Sequence, residues 1–212
     1  MGPGWTIALD AATYAAGAAL LAPMRLSPAV RAAGASFVSE LREGWDEFRS
    51  RTWLWVIVVE FAFLNAAANT SFAVLGPTVA KRELGGAGSW GLILTGEAVG
   101  LVLGGVLALR FRPGRPLLAA SGGILLLAPM FGVLWDTTMQ EQVPPAVLSR
   151  VYSYDALGSF LLMPVGFAVV GPLSTLVGIR TTLFGVAVLV VACVAAVLTI
   201  REVRTLASGR QP

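Results

Sequence analysis

The chain has 212 residues, of which 56% are hydrophobic and only 13% charged, with a mean hydropathy of +0.77, whereas a soluble globular chain has roughly a quarter of its residues charged. The 15 basic and 12 acidic residues give a net charge of +3, but the basic ones lie scattered between apolar runs, without the clustered groove that nucleic acid requires. With no histidine and one cysteine, Cys193, the chain offers no His-ligated metal, no Ser-His triad, no histidine proton relay, no internal disulfide and no cysteine cluster.

A helix crosses a ~30 Å hydrocarbon core in about 20 residues, and on that ruler six segments stand out: 5–24, 53–80, 89–109, 117–135, 156–178 and 181–200. The expected fold is therefore all-α, a polytopic transmembrane helical bundle; the runs are continuous rather than alternating, which argues against a β-barrel. The first segment is Ala-rich, contains Asp10 and has no basic residue ahead of Arg25, so it reads as a retained span and not as a secretory signal. Residues 25–52 form a linker, expected to be cytoplasmic. In it Phe37, Leu41, Trp45 and Phe48 fall at steps of four, four and three among charges, which predicts an amphipathic helix. That helix either lies in the membrane interface or folds onto the bundle.

The bundle proper is expected over 53–200, followed by a polar tail at 201–212. In the 89–109 segment Gly96, Gly100 and Gly104 repeat every fourth residue, a small-residue stripe that lets a second helix approach closely. The 117–135 segment carries a conflict. All 15 basic residues lie outside the apolar cores, and cytoplasmic loops are the ones that collect them. With 25–52 in the cytoplasm, a single crossing at 117–135 leaves nine basic residues inside and six outside; an even number of crossings leaves twelve inside, with only Lys81, Arg82 and Arg180 outside. The charges favour even parity, but 117–135 is too short for two spans. It is thus a re-entrant hairpin bent at Pro129, a surface-lying segment, or a span from which residues have been lost.

Residues 132–173, "GVLWDTTMQEQVPPAVLSRVYSYDALGSFLLMPVGFAVVGPL", resemble the C-terminal half of a major facilitator superfamily transporter of the drug- and siderophore-exporter branch, where a similar stretch ends the tenth span, turns in the cytoplasm and enters the eleventh through a Gly/Pro-rich run. "DAATYAAGAALL" at 10–21 is similar to that family's sixth span, and "SFVSELREGWDEFRSRTWLW" to its central loop. The loop "GGVLALRFRPGRPLL" resembles the superfamily's G-x-x-x-D-R-x-G-R-R loop, with Leu109 where a carboxylate is expected. The resemblance implies half of a major facilitator fold, secondary-active export of an unidentified small molecule by alternating access, no cofactor, no enzyme activity, and residence in a cell membrane. A single Lys among the basic residues, with abundant Ala and Gly, suggests a bacterial cytoplasmic membrane. The family's earlier spans, and roughly 30 residues around "LLLAPMFG", would lie outside this chain. An N-terminal half or a second copy would supply the other lobe; a non-transporting remnant or partner subunit is the alternative.

Five carboxylates lie in or at the ends of the apolar runs: Asp10, Glu60, Glu97, Asp136 and Asp155. No basic residue shares those spans, and such groups can carry a proton and exchange it when a cavity opens. Glu60 and Glu97 are the candidates for proton coupling; each lies seven residues after a Trp, about 10 Å into its helix. Asn65 and Asn69 share one face, expected to hydrogen-bond between helices or to line a transport path, while Glu60 lies on nearly the opposite side. At the predicted cytoplasmic turns, Asp136, Arg150, Asp155, Arg110 and Arg115 are candidate gate residues, with a helix-end ion pair expected between Arg150 and the flanking aspartates. In a background with Cys193 replaced, single cysteines at Ser149 and Ser208 should both be labelled from the cytoplasmic side by an impermeant maleimide in intact-cell and everted-vesicle assays; labelling of both from outside would mean that 117–135 crosses once.

Overall fold

The computed structural model describes residues 3–23, 36–110, 114–115, 117 and 131–206. Every element among them is helical, and no strand occurs among the described residues. The chain divides into two compact units, Met1–Ser36 and Phe37–Pro212. The first contains one helix, α1 (Pro3–Leu21), with its described side chains exposed almost throughout. The second contains α2 (Phe37–Ser50), α3 (Thr52–Leu64), a π-helical turn at Asn65–Asn69 and α4 (Thr70–Glu83). Then follow α5 (Ala87–Arg110), α6 (residues 131–142), α7 (Pro145–Phe160), α8 (Met163–Val177), α9 (Ile179–Thr199) and α10 (Arg201–Thr205).

Four stretches are long and apolar enough to cross a membrane: Thr52–Glu83, Ala87–Leu107, Pro145–Val177 and Ile179–Thr199. They mark the chain as a membrane protein. The count among the described residues is four and not the expected six, for two reasons. The apolar part of α1, Ile7–Leu21, is shorter than the about 20 residues a crossing needs. Residues 118–130, most of the expected 117–135 segment, lie outside the described residues. The expected 156–178 span starts eleven residues earlier, at Pro145, because Val147 and Val151 are buried and keep the polar "SRVYSYD" stretch helical. Hydropathy marks where apolar sequence begins, not where a helix begins. The stretch read as a polar tail also starts with structure: α10 docks on α3 and α9, with Val203 fully buried.

The Thr52–Glu83 stretch is the axis of the second unit. Half of its most apolar window is buried, against none of that in α5. Helices α2, α7 and α9 pack on α3, while α8 and α9 pack on the π-helical turn and α8 continues along α4. A layer of aromatic rings closes the α2 end of this core. Trp53 meets Trp135 edge-on at 5.7 Å between ring centroids, and Phe61 stacks on Phe131 at 4.4 Å. Around them Leu54, Ile57, Met139 and Val151 are buried.

The π-helical turn changes how a neighbour can approach. The amide of Thr70 donates to the carbonyl of Asn65 across the wider turn, so the carbonyl of Ala66 loses its ordinary helical donor and accepts from the Thr70 hydroxyl instead. The backbone of α8 lies directly over that carbonyl at Gly166, where an added Cβ would collide with Ala66 O. The chain reverses between α8 and α9 at Gly178, whose φ of 88° suits glycine and few other residues. Replacing Gly166 by Val should therefore force α8 off the π-helical turn and lower stability by about 1–3 kcal/mol, read as a drop in the thermal midpoint of the detergent-solubilised protein; the same change at Gly171, where a Cβ meets nothing within 4 Å, should have a much smaller effect.

Candidate functional site

Several polar side chains of the second unit form one connected chain, and the buried Glu60 and Ser71 lie outside it. The chain starts at Asn69, whose side-chain amide donates to Asn65 Oδ1 at 2.6 Å. Asn65, only 5% exposed, donates in turn to the backbone carbonyl of Ser159 on α7 at 2.9 Å. The Ser159 hydroxyl donates to Asp155 Oδ1 at 3.3 Å, and the other carboxylate oxygen of Asp155 accepts from the Trp135 indole at 3.1 Å. Four residues separate Asn65 from Asn69 and Asp155 from Ser159, so each pair stands on one helical face; the contact of the π-helical turn with α7 joins the two pairs. Separately, the Tyr152 hydroxyl donates to Asp136 Oδ1 at 3.2 Å.

Glu60 and Ser71 stand outside this chain. Glu60 is 3% exposed, and among the described residues neither its carboxylate oxygens nor the hydroxyl of Ser71 has a hydrogen-bond partner. In hydrocarbon, an unmade hydrogen bond to a buried polar group costs free energy, and native structures leave few such groups. Asn65 bonds to α7, and Glu60 takes no part in that bond.

The other residues singled out in the sequence are distributed as follows. Glu97 is exposed on α5, whereas Glu60 is buried on α3. Gly96 faces open space, while Gly100 and Gly104 are partly covered; α5 is held chiefly by α4, where Trp90 packs on Phe72 with centroids 4.8 Å apart. Arg110 and Arg115 are exposed and make no ion pair among the described residues. The ion pair expected between Arg150 and Asp136 or Asp155 is replaced by another. Arg150 reaches across to α2, 2.6 Å from Glu43 and 3.5 Å from Glu40, because Gly44 lets α2 lie so close that an added Cβ would sit 2.7 Å from Arg150 Cβ. Asp155 is meanwhile occupied by Trp135 and Ser159.

The end of the unit at α2 is closed by further polar contacts. Tyr154 donates to the Leu41 carbonyl at 3.0 Å. Arg51 pairs with Glu47 and donates to the Gln142 carbonyl at 3.0 Å. Glu202 of α10 accepts from the Trp53 amide at 3.1 Å, which supplies an unsatisfied donor at the start of α3 with an anion where the helix dipole favours one. Ser159, Trp135, Tyr152, Glu40, Glu43 and Glu202 were not singled out by sequence reasoning. Ser159 carried a usable signal in its spacing from Asp155; Glu202, in an apparently polar tail, carried none.

The fold and these contacts define an all-α membrane protein with a buried polar chain between two of its apolar helices. Set against protein-family models, curated proteins and solved structures, the chain matches none of them. The Arg150–Glu43 pair is partly solvent-exposed on both sides, so a double-mutant cycle of Arg150→Gln and Glu43→Gln should return a coupling of only about 0.2–1 kcal/mol. Asn65→Ala should cost about 1 kcal/mol through the lost interhelical bond. Both are measured as unfolding free energies in mixed micelles, and a coupling well above that range would mean that the α2 contact, not the buried amide, dominates stability.

Proposed function

We propose that this chain is the C-terminal half of a secondary-active exporter of small molecules, similar to the drug- and siderophore-exporting branch of the major facilitator superfamily and resident in a bacterial cytoplasmic membrane. Transport by alternating access needs two lobes that rock about a site near the middle of the membrane. In this reading the four apolar helices belong to one lobe. An N-terminal half or a second copy provides the other.

The observation that carries the reading is Glu60. Proton coupling needs an ionisable group that water reaches in one state of the transporter and not in another. A carboxylate at 3% exposure, seven residues into the axial helix and without a hydrogen-bond partner among the described residues, has the placement for that task. A purely structural carboxylate would be expected to carry bonds of the kind that Asp155 makes to Trp135 and Ser159. The coupling role is therefore assigned to Glu60 in preference to Glu97, which is exposed. The Asn69–Asn65–Ser159 link is assigned the structural role of holding α7 to the axial helix.

A second reading is a non-transporting partner subunit, in which the bare flank of α5 packs against another chain. A membrane helix with a carboxylate at Glu97 and an open Gly96 is expected to face protein or water rather than lipid, so other helices belong beside it whichever reading holds. In everted vesicles energised by a proton gradient, Glu60→Gln should abolish proton-driven efflux of lipophilic dyes by the assembled transporter while leaving its abundance and thermal midpoint unchanged. Unaltered efflux would remove Glu60 from coupling, and absence of efflux from the unsubstituted protein under any gradient would favour the partner-subunit reading.

A further inference from the structure

Away from Glu60 and from the buried polar chain, the second unit contains an open groove of about 610 Å³ between α2, α3 and α7. Its walls are Trp45 and Arg49 of α2, Trp55 and Val59 of α3, and Tyr154 and Leu157 of α7. The groove has a polar end and an apolar end. Arg49 and the ring of Trp45 stand at the last turns of α2, before the span begins at Thr52; from Trp55 onward the lining is hydrocarbon and continues down the face that α3 and α7 share. The floor is formed where Gly158 lies so close to Val58 that a Cβ there would collide with the valine side chain.

Of the arginines at this end that make no ion pair among the described residues, Arg42, Arg49, Arg201 and Arg204, Arg49 is the one that lines the groove. Arg150 is held by Glu43 and Glu40, and Arg51 by Glu47. Arg49 has no carboxylate partner among the described residues, and the acidic side chains of α2 mostly line its other face, where Arg42, Glu43, Asp46 and Glu47 surround a separate, polar depression. The groove side of α2 therefore presents one unpaired guanidinium beside two indole rings, at the level where a membrane has its headgroups.

We propose that this groove binds one phospholipid, with an acyl chain lying along Trp55, Val59 and Leu157 and the phosphate held by Arg49. An occupant with an anionic head and a hydrocarbon tail satisfies both ends at once: the guanidinium gains the planar, charge-assisted hydrogen bonds that phosphate accepts, and the exposed Trp55, Val59 and Leu157 side chains are covered by hydrocarbon. The site is a fixed one, distinct from the exchangeable lipid around the other helices, and it ties the seating of α2 on α7 to the bilayer.

The test uses the full chain reconstituted in phosphatidylcholine vesicles containing phosphatidylglycerol with a photoactivatable acyl chain, followed by digestion and mass spectrometry. Adducts should concentrate on the peptides containing Trp55–Val59 and Leu157–Leu161, saturate with probe and be competed by unlabelled phosphatidylglycerol. Arg49→Gln should weaken this labelling about tenfold, the loss of one charge-assisted hydrogen-bonded pair, at an unchanged thermal midpoint. Leu157→Trp, which fills the apolar end at an exposed position, should abolish it and serves as the second variant if Arg49→Gln impairs folding. Adducts spread evenly over α5 and α8, labelling indifferent to both substitutions, competition by inorganic phosphate alone, or crosslinks to another protein chain in place of lipid would each overturn the proposal.

Discussion

The axial helix buries Asn65 and Thr70 within a mostly apolar stretch, and a membrane supplies no water there to satisfy them. Polar groups at that depth have to find partners in the protein. Most of the second unit follows from that constraint. Thr70 turns back to the Ala66 carbonyl that the π-helical turn releases, α7 offers the Ser159 carbonyl to Asn65, and α8 covers the turn through Gly166. The helices wrap the axial one because its polar atoms, as much as its Leu and Ile side chains, need to be enclosed.

Close approach is the means by which this is achieved. Gly158 rests on Val58 and Gly166 on Ala66, two turns apart on the α7–α8 stretch, so that the backbone comes within reach of the amide of Asn65 between them. Small residues are the usual way for membrane helices to approach, since no hydrophobic driving force acts between helices already in lipid. The stripe on α5 is built from the same residue type but has no such partner at Gly96. Small-residue spacing thus indicates the capacity for close packing; a second surface of matching shape determines whether it is used.

The α2 end follows different physics, because water is available there. Its contacts are ion pairs and backbone bonds: Arg150 with Glu43 and Glu40, Tyr154 with Leu41, Glu202 with the start of α3. Individually these are worth little. Together they hold α2 on α7 in one orientation, which seats Phe48 in the core and leaves Trp45 partly open. The amphipathic helix therefore folds onto the bundle, with Phe48 buried in the core and Trp45 exposed.

The amino-acid sequence alone determined the all-helical class, the positions of the four long apolar helices to within a few residues at most ends, and the amphipathic character of α2. Each depends on hydropathy and periodicity, which are properties of residues within one segment. Asn65 and Asp155 were legible as polar residues in apolar runs for the same reason. The tertiary structure decided the rest: that Arg150 turns to Glu43 and not to Asp136, that Asp155 is satisfied by Trp135 and Ser159, that Glu60 is left without a partner among the described residues while Glu97 is exposed, and that the apparent tail begins with a helix capping α3. The physical reason is that a hydrogen bond or an ion pair forms across a few ångströms of space, and Glu202 and Trp53 reach that distance from positions far apart along the chain only once α9 has returned beside α3.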